Sequence, residues 1–306
     1  MPATAVAAIA FPPPGDRVAY AVDGEPLRYL VRGAGPSLLI LNGLVSTHHH
    51  WPFFVEHFQQ RCQVLAWDYR GHGIGGVAPR DPRSVTVEGF ADDAHAVLQA
   101  AAAAPAVVAG LSFGVQVALE IYRRHADDVR ALVLICGTWG HPLDRISKDP
   151  ALRRRMAAGF RVFGSLGPLA RLGLLLARTG LPREITYLIG GAHRELCPRA
   201  ALDGLFDHVS RLDPAVFGEA CATYFEHTAY DVLTTIKVPT LLIAGDRDEL
   251  TPPALAEEMR RLIPTARLAV FPGHSHLVQL ERPAEVHETI DAFLDEFNLR
   301  QPCLRP

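Results

Sequence analysis

A serine at position 112 lies between two glycines, Gly110 and Gly114, in the sequence G-L-S-F-G. The β-branched residues Val107 and Val108 precede it, and a helix-like pattern begins just after it. This order predicts a strand, a sharp turn with Ser112 at its apex, and a helix. Strand and helix crowd together at such a turn, so the positions two before and two after the serine must be nearly free of side chain. The serine hydroxyl is then exposed and can act as a nucleophile.

A serine hydroxyl is a poor nucleophile at neutral pH and needs an adjacent base, which in turn needs a carboxylate to orient it. The loop after one later apolar strand carries Asp246 and Asp248, and the loop after the next carries His274 and His276. In doubly wound sheets, functional sites form beyond the carboxyl ends of the strands. The order serine, aspartate, histidine is the one expected when the nucleophile lies on a turn of this kind.

Short apolar runs separated by turn residues predict the strands that position these loops. The first two are expected to form an antiparallel pair, and the later ones alternate with helical patterns, which is typical of a parallel sheet. We therefore predict an α/β fold, a doubly wound and mostly parallel eight-stranded sheet. The strands are expected at residues 17–22, 27–31, 37–41, 63–67, 107–109, 131–135, 240–244 and 267–271. Helices are expected at residues 51–58 and 87–104, directly after Ser112, and at 254–262 and 283–297.

The alternation of strands and helices stops between residues 139 and 238, where helical patterns are broken by Gly and Pro. Helices are expected there at 151–163, 166–181 and 200–212. The first 15 residues are Ala-rich and end in a run of prolines, which favours a flexible leader. The predicted organisation is a leader at 1–15, a core domain at 16–138 and 239–300, an inserted helical cap at 139–238, and a tail at 301–306.

Four motifs together make the chain resemble the α/β-hydrolase superfamily from about residue 17 to residue 297. They are G-L-S-F-G at 110–114, D-Y-R-G-H-G at 68–73, the acid loop at 242–248, and the histidine loop followed by E-R-P at 281–283. The resemblance implies a catalytic triad of Ser112, Asp248 and His276. Asp246 is then an ordinary loop carboxylate or a backup acid, and His274 is a loop histidine.

An oxyanion hole needs two backbone N–H groups aimed at the developing negative charge. Phe113, the residue after the nucleophile, supplies one of them. The resemblance implies that Leu44 supplies the other, from the loop after the strand at 37–41. Members of the superfamily usually carry His-Gly in that loop, whereas this chain has Asn42 and Gly43. Because the donor is a backbone group, this difference is not expected to abolish the hole.

A serine rather than an aspartate at position 112 is consistent with an acyl-serine intermediate that water hydrolyses. We predict a serine hydrolase, an esterase-like enzyme that cleaves an ester, lactone or thioester of a small, largely apolar substrate. The Asn42–Gly43 loop and the apolar cap are also similar to those of intracellular polyester depolymerases. Carbon–carbon bond hydrolases, biosynthetic acyltransferases or cyclases, and ligand-binding receptors of the same fold remain alternatives.

The composition restricts the remaining function classes. A net charge of −3 argues against nucleic acid as the main partner, and no run of 18 uncharged apolar residues predicts a membrane span. Five scattered cysteines without a C-x-x-C pair favour free thiols and a cytoplasmic protein. The histidines at 48–50 and those at 274 and 276 lack the further ligands that a metallohydrolase site requires, so neither a metal nor a cofactor is expected.

The predicted cap is basic, with eleven Lys or Arg against four Asp or Glu between residues 139 and 199. Arg161 and the arginines at 153–155 lie on one face of a helix, which is either solvated or attracts an anionic substrate or a lipid surface. The leucine-rich stretch at 166–181 is expected to pack on the core and line an apolar pocket.

Overall fold

The computed structural model describes residues 17–73, 78–140, 142 and 149–300, apart from the side chain of His49. The predicted leader at 1–15 and tail at 301–306 lie outside these residues. An eight-stranded sheet forms the centre of the molecule, in the order β1-β2-β4-β3-β5-β6-β7-β8. Strands β1, β2 and β4 pair antiparallel, and all other pairs are parallel. The strands are β1 Arg17–Tyr20, β2 Pro26–Arg32, β3 Ser37–Leu41, β4 Gln63–Trp67, β5 Ala106–Leu111, β6 Val129–Ile135, β7 Thr240–Gly245 and β8 Ala266–Phe271.

Helices cover both faces of this sheet, which confirms the predicted α/β fold class. They are α1 Pro52–Phe58, α2 Val87–Ala100, α3 Phe113–Arg124, α4 Pro150–Ser165, α5 Pro168–Leu175, α6 Leu181–Leu188, α7 Arg199–Val209, α8 Pro214–Glu226, α9 Pro253–Leu262, α10 Val278–Glu281 and α11 Pro283–Glu296. Helix α2 ends four residues earlier than predicted. The chain turns there through Ala102, whose φ of 50° is not helical.

The central strands are buried on both faces, and for this reason their sequences are continuously apolar. Adjacent residues of β5 show the alternation: Val107 packs in the core beneath α1 and α11, whereas Val108 packs in the core beneath α2 and α3. In β3, Leu38 and Leu39 divide between the same two cores. This double burial fixes the register, because a slip of one residue would exchange the two faces.

Five helices, α4 to α8, lie between β6 and β7, in the stretch predicted to be an inserted cap. The helix α8 was not identified from the sequence, although Asp213 caps it by accepting bonds from Ala215 N and Val216 N. His227, at the C-terminal end of α8, contacts two side chains of α3. Its Nε2 lies 3.0 Å from Glu120 Oε2, and its Nδ1 lies 3.1 Å from Gln116 Oε1. The last inserted helix is therefore fixed to the helix that follows Ser112.

The leucine-rich stretch predicted to be a helix at 166–181 is helical from Pro168 to Thr179, as α5 followed by a 3-10 turn, and Gly167 and Gly180, with φ of 55° and 79°, flank it. The prediction that it packs on the core and lines a pocket is wrong. Most of its leucines face solvent rather than a pocket, because only one narrow side of α5 meets other helices. The exposed ones include Leu166, Leu169, Leu172, Leu175, Leu176 and Leu181. Two residues of the stretch, Leu174 and Ala177, form a small buried cluster with Val209. Val45 and several phenylalanines pack against this cluster.

Within the described part of the chain, no single helix is long and apolar enough to cross a membrane. Helix α4 and residues 168–179 reach that length and composition only as a pair, and they are bent by 105° at their junction. The four cysteines in this part, Cys62, Cys136, Cys197 and Cys221, are free and buried.

Candidate active site

The turn from β5 to α3 holds Ser112 in a strained backbone conformation. Its φ is 55°, and the next residue, Phe113, is the first residue of α3. Val45 and Cys136 also have positive φ, at 50° and 44°, and they follow β3 and β6, the two strands that pair with β5. Non-glycine residues rarely adopt this conformation, and it is concentrated at functional sites. Three of the five such residues in the described chain therefore lie at one edge of the sheet.

Three glycines allow the backbone segments around Ser112 to approach one another. A Cβ atom on Gly110 would lie 2.4 Å from Gly114 O, and one on Gly114 would lie 2.5 Å from Leu41 O. The sequence predicts the need for both of these glycines. It does not predict the third, Gly137, where a Cβ atom would lie 2.6 Å from Ser112 O. The close contact between Gly137 and Ser112 depends on the pairing of β5 with β6, and no local sequence pattern predicts that pairing.

The close packing at Gly114 predicts a specific loss of stability. The Gly114→Ala variant is expected to lower the free energy of unfolding by about 1–3 kcal/mol, because the new methyl group meets rigid backbone of β3. Urea denaturation measures this change. The matched control is Gly159→Ala in α4, where a Cβ atom has no neighbour within 4 Å. That variant should be neutral or slightly more stable, since alanine favours a helix. Equal losses in both variants would contradict the role of Gly114.

Ser112, His276 and Asp248 meet at the carboxyl edge of the sheet although they are far apart in sequence. His276 Nε2 lies 2.8 Å from Ser112 Oγ, and His276 Nδ1 lies 2.8 Å from Asp248 Oδ2. The register of β7 and β8 positions Asp248 beside His276. Gly245 at the end of β7 pairs with Phe271 at the end of β8, and the acid and histidine loops begin directly after these residues. The acid and histidine loops are in close contact, since a Cβ atom on Gly245 would lie 2.4 Å from His274 O.

The hydrogen-bond partners of His276 define its tautomer. An ionised carboxylate accepts hydrogen bonds and cannot donate them, so Nδ1 carries a proton and donates a hydrogen bond to Asp248. The Nε2 lone pair is then directed at Ser112 and can accept the hydroxyl proton. Asp248 is 1% exposed and His276 is 7% exposed, so water screens this chain of bonds only weakly.

Asp248 is held by more donors than the sequence predicted. Its Oδ1 accepts bonds from Leu250 N and Thr251 N, both at 2.9 Å. Its Oδ2 accepts the Thr251 hydroxyl at 2.7 Å, beside the bond from His276. The same Thr251 Oγ1 lies 3.2 Å from His276 Nδ1. Thr251 is therefore a positioning residue of this site, and only its place three residues after Asp248 could have indicated it.

The two alternative residues have other partners. Asp246 Oδ1 accepts a bond from Gly273 N at 2.6 Å and closes the turn between the two loops. His274 lies between Glu281, 3.3 Å away, and Arg282, whose Nε is 3.0 Å from His274 Nε2. The structure thus brings Asp248 and His276, rather than these two residues, to Ser112.

A buried carboxylate fixes the histidine loop from behind. Glu281 accepts bonds from the backbone N–H of Ser275 at 2.9 Å and of His193 at 2.8 Å, and from the Ser275 hydroxyl. Because His193 lies between α6 and α7, the inserted helices and the histidine loop share this anchor. His276 N also donates to Gly190 O at 3.3 Å in the same inserted segment.

The loop after β3 passes directly beside the serine. A Cβ atom on Gly43 would lie 3.6 Å from Ser112 Cβ, which places the adjacent Leu44 next to the nucleophile. The side-chain amide of Asn42 donates to Trp67 O at 2.9 Å. The backbone oxygen of Asn42 accepts the Tyr69 hydroxyl at 2.9 Å. These bonds brace the loop. Phe113 N belongs to the first turn of α3, where backbone N–H groups have no partner within the helix.

His48 and His50, which follow this loop, contact different groups within the protein. His48 Nδ1 lies 2.9 Å from Asp68 Oδ1, whereas His50 Nδ1 lies 3.3 Å from Thr47 O. The side chain of His49 is outside the described residues. Burial lowers the pKa of His50, which favours its neutral form.

The inserted helices present aromatic and aliphatic side chains to this region. Tyr224 of α8 packs edge-on against Phe113, with 5.7 Å between the ring centroids. Burial raises the pKa of Tyr224 and also that of the Cys136 thiol, so both groups remain neutral. Val45 of the loop after β3 contacts the apolar cluster that Leu174, Ala177 and Val209 form. The surroundings of Ser112 on the side of the inserted helices are thus mainly apolar.

Comparisons with known proteins agree with this architecture. The family described as alpha/beta hydrolase fold matches residues 36–283. The chain is 29% identical over 283 residues to a putative carbamate hydrolase of Azorhizobium caulinodans, covering 91% of this chain and 99% of that protein. It is 26% identical over 261 residues to the pimeloyl-acyl-carrier-protein methyl ester esterase of Nitrosomonas europaea, covering 85% and 96%. The solved enol-lactonase of Burkholderia xenovorans LB400 is similar with a TM-score of 0.72 at 23% identity, covering 91% and 100%.

The fold and the matched family define the class of protein, an enzyme built on a mostly parallel sheet with its site at the strand ends. This chain belongs to the α/β-hydrolase family and is a hydrolase. The resemblance that the sequence motifs indicated is confirmed.

Proposed function

We propose that the protein is a serine hydrolase that cleaves a carboxylic ester, lactone or thioester through an acyl-serine intermediate. The observation that carries this proposal is the pair of 2.8 Å contacts that link Ser112 Oγ to His276 Nε2 and His276 Nδ1 to Asp248 Oδ2. A nucleophile, a base and an orienting carboxylate within hydrogen-bond distance are the parts that acyl transfer requires.

In the first half-reaction, Ser112 Oγ attacks the substrate carbonyl carbon while its proton passes to His276 Nε2. Asp248 stabilises the imidazolium that forms, and Thr251 keeps the carboxylate in place. The backbone N–H groups of Leu44 and Phe113 bind the oxygen as it becomes negative. His276 then gives the proton to the leaving alcohol or thiol, and the acyl group stays on Ser112.

The second half-reaction repeats these steps with water as the nucleophile. His276 takes a proton from the water, the hydroxide attacks the acyl-serine carbonyl, and the same two N–H groups bind the oxygen. Collapse of the intermediate releases the carboxylic acid and returns the proton to Ser112 Oγ. A lactone follows the same route, except that acid and alcohol leave as one molecule.

The apolar surroundings favour a largely apolar acyl group in the substrate. Tyr224 of α8 packs against Phe113, the residue next to Ser112, and Val45 packs against the apolar cluster around Leu174. Burial of apolar substrate surface against such side chains provides binding free energy of roughly 25 cal/mol per Å². A sugar or a charged peptide would gain little from them.

A substrate panel tests this proposal. The panel contains p-nitrophenyl esters of increasing acyl length, lactones, thioesters and, because the name of one relative refers to carbamates, aryl carbamates. We expect multiple turnovers, and we expect kcat/KM to rise with the length of the acyl chain. If the protein turns over no substrate of any of these classes, the proposal is contradicted. Covalent labelling of Ser112 without turnover would instead indicate a ligand-binding receptor of this fold.

A further inference from the structure

A second cluster of ligand-type side chains lies away from Ser112. His95 of α2, His125 at the end of α3 and Asp128 before β6 each place one nitrogen or oxygen within 4.8 Å of the others. His95 Nδ1 lies 2.5 Å from Asp128 Oδ2. The two imidazole rings are stacked, with 4.1 Å between centroids and 8° between planes. None of these three residues has a part in the proposed hydrolysis.

Each side of this cluster is held by further polar groups. Gln99 Nε2 donates to Asp128 Oδ1 at 3.0 Å. Asp92 Oδ1 lies 2.8 Å from His125 Nε2, and Arg124 bonds both oxygens of Asp92 at 2.8 and 2.7 Å. Hydrogen bonds of this kind, in which a carboxylate accepts from an imidazole N–H or from an amide N–H, are those that orient metal ligands and adjust their basicity.

We propose that His95, His125 and Asp128 form a binding site for a divalent transition-metal ion, with zinc as the best chemical match. Two imidazoles and one carboxylate suit Zn²⁺, whereas Ca²⁺ and Mg²⁺ require oxygen ligands. Ligand atoms around a tetrahedral zinc ion lie roughly 3.4 Å apart. His95 Nδ1 and Asp128 Oδ2, now 2.5 Å apart, must therefore separate to admit the ion, and the stacked rings must tilt. The side chains of His95 and His125, 39% and 22% exposed, have room for this adjustment.

The position of the site predicts a structural role for the ion rather than a catalytic one. Asp128 directly precedes β6, and Ser112 lies beside the opposite end of that strand. Seven residues of extended strand separate the two ends by roughly 20 Å. A bound ion would join α2 to the turn between α3 and β6. It would therefore raise stability without changing the chemistry at Ser112.

Zinc titration of the full, untagged chain tests this proposal. The protein is stripped with a chelator and carries Cys303→Ser, which removes the cysteine outside the described residues. Calorimetry should give one Zn²⁺ per chain, and His95→Ala and His125→Ala should each weaken binding at least tenfold. Zn²⁺ should also raise Tm by several degrees in the parent protein but not in His125→Ala.

The chain contains a matched control for this experiment. His57 is also stacked on a second histidine, His287, and lies 2.7 Å from Asp291. The ring of His287 is buried, and among the described residues these three do not bring their ligand atoms as close together as His95, His125 and Asp128 do. The His57→Ala variant should keep the parent affinity for Zn²⁺, and His95→Ala should keep the parent ester turnover. Absence of zinc binding by the parent protein would overturn the proposal. Equal affinity in the parent, His95→Ala and His125→Ala proteins would overturn it as well.

Discussion

Replacement of Ser112 by alanine is expected to lower kcat for a p-nitrophenyl acyl ester by about 10⁴- to 10⁶-fold. The variant retains the binding surface and the oxyanion donors, but it has no atom that can form the acyl intermediate. The side chain is small and alanine accepts the same turn, so the circular dichroism spectrum and Tm should stay close to those of the parent. Initial rates at saturating substrate measure the loss.

A second serine in the same region provides the control for this result. Ser46 is buried and donates its hydroxyl to Gly43 O at 3.1 Å, so it also contributes a hydroxyl near the nucleophile. We expect Ser46→Ala to reduce turnover by less than about tenfold, through a loosened loop alone. Comparable losses in both variants would mean that the decisive group is not the hydroxyl of Ser112.

Replacement of Asp248 by asparagine is expected to lower kcat/KM by about 10⁴-fold. The asparagine amide can donate a hydrogen bond to His276 Nδ1, and this favours the tautomer that carries its proton on Nε2. That proton would then face Ser112 Oγ, so the imidazole could not accept the hydroxyl proton. The loss of negative charge also leaves the imidazolium uncompensated at a site where Asp248 is 1% exposed.

The neighbouring Asp246→Asn variant is the matched control for Asp248→Asn. The carbonyl oxygen of the new amide can still accept the bond from Gly273 N that Asp246 Oδ1 accepts now. Its kcat/KM should therefore stay within about threefold of the parent value. A larger loss in Asp246→Asn than in Asp248→Asn would assign the acid to Asp246 and contradict the geometry of the site.

The core fold could be predicted from the sequence because each central strand is apolar on both faces and ends at a turn signal. The strand pattern also predicts that the acid and histidine loops lie near Ser112, since loops that follow parallel strands meet at one edge. The choice of Asp248 and His276 among the carboxylates and histidines of these loops came from the resemblance to the superfamily. Gly137 and Thr251 were missed because their roles depend on contacts between strands and between loops. No periodicity along the chain encodes such contacts.

The inserted helices were predicted less well than the core, for physical reasons that differ from helix to helix. Helix α8 contains Gly218 and the two β-branched residues Val216 and Thr223, so its helical pattern is weak. Its start is indicated by the cap Asp213 followed by Pro214. In α5 the pattern is strong, but leucine content does not reveal which face is buried. Tertiary packing leaves Leu169 and Leu172 in solvent and buries Leu174.

The most direct test of the central claim is mass spectrometry of the protein after treatment with a fluorophosphonate, which reacts with activated serines. The account predicts a mass increase of one phosphonyl group, located on the peptide that contains Ser112. It also predicts labelling that is slower by about 10³-fold or more in His276→Ala, which lacks the base. An adduct on another residue, or equal labelling rates in the parent and His276→Ala proteins, would contradict the account.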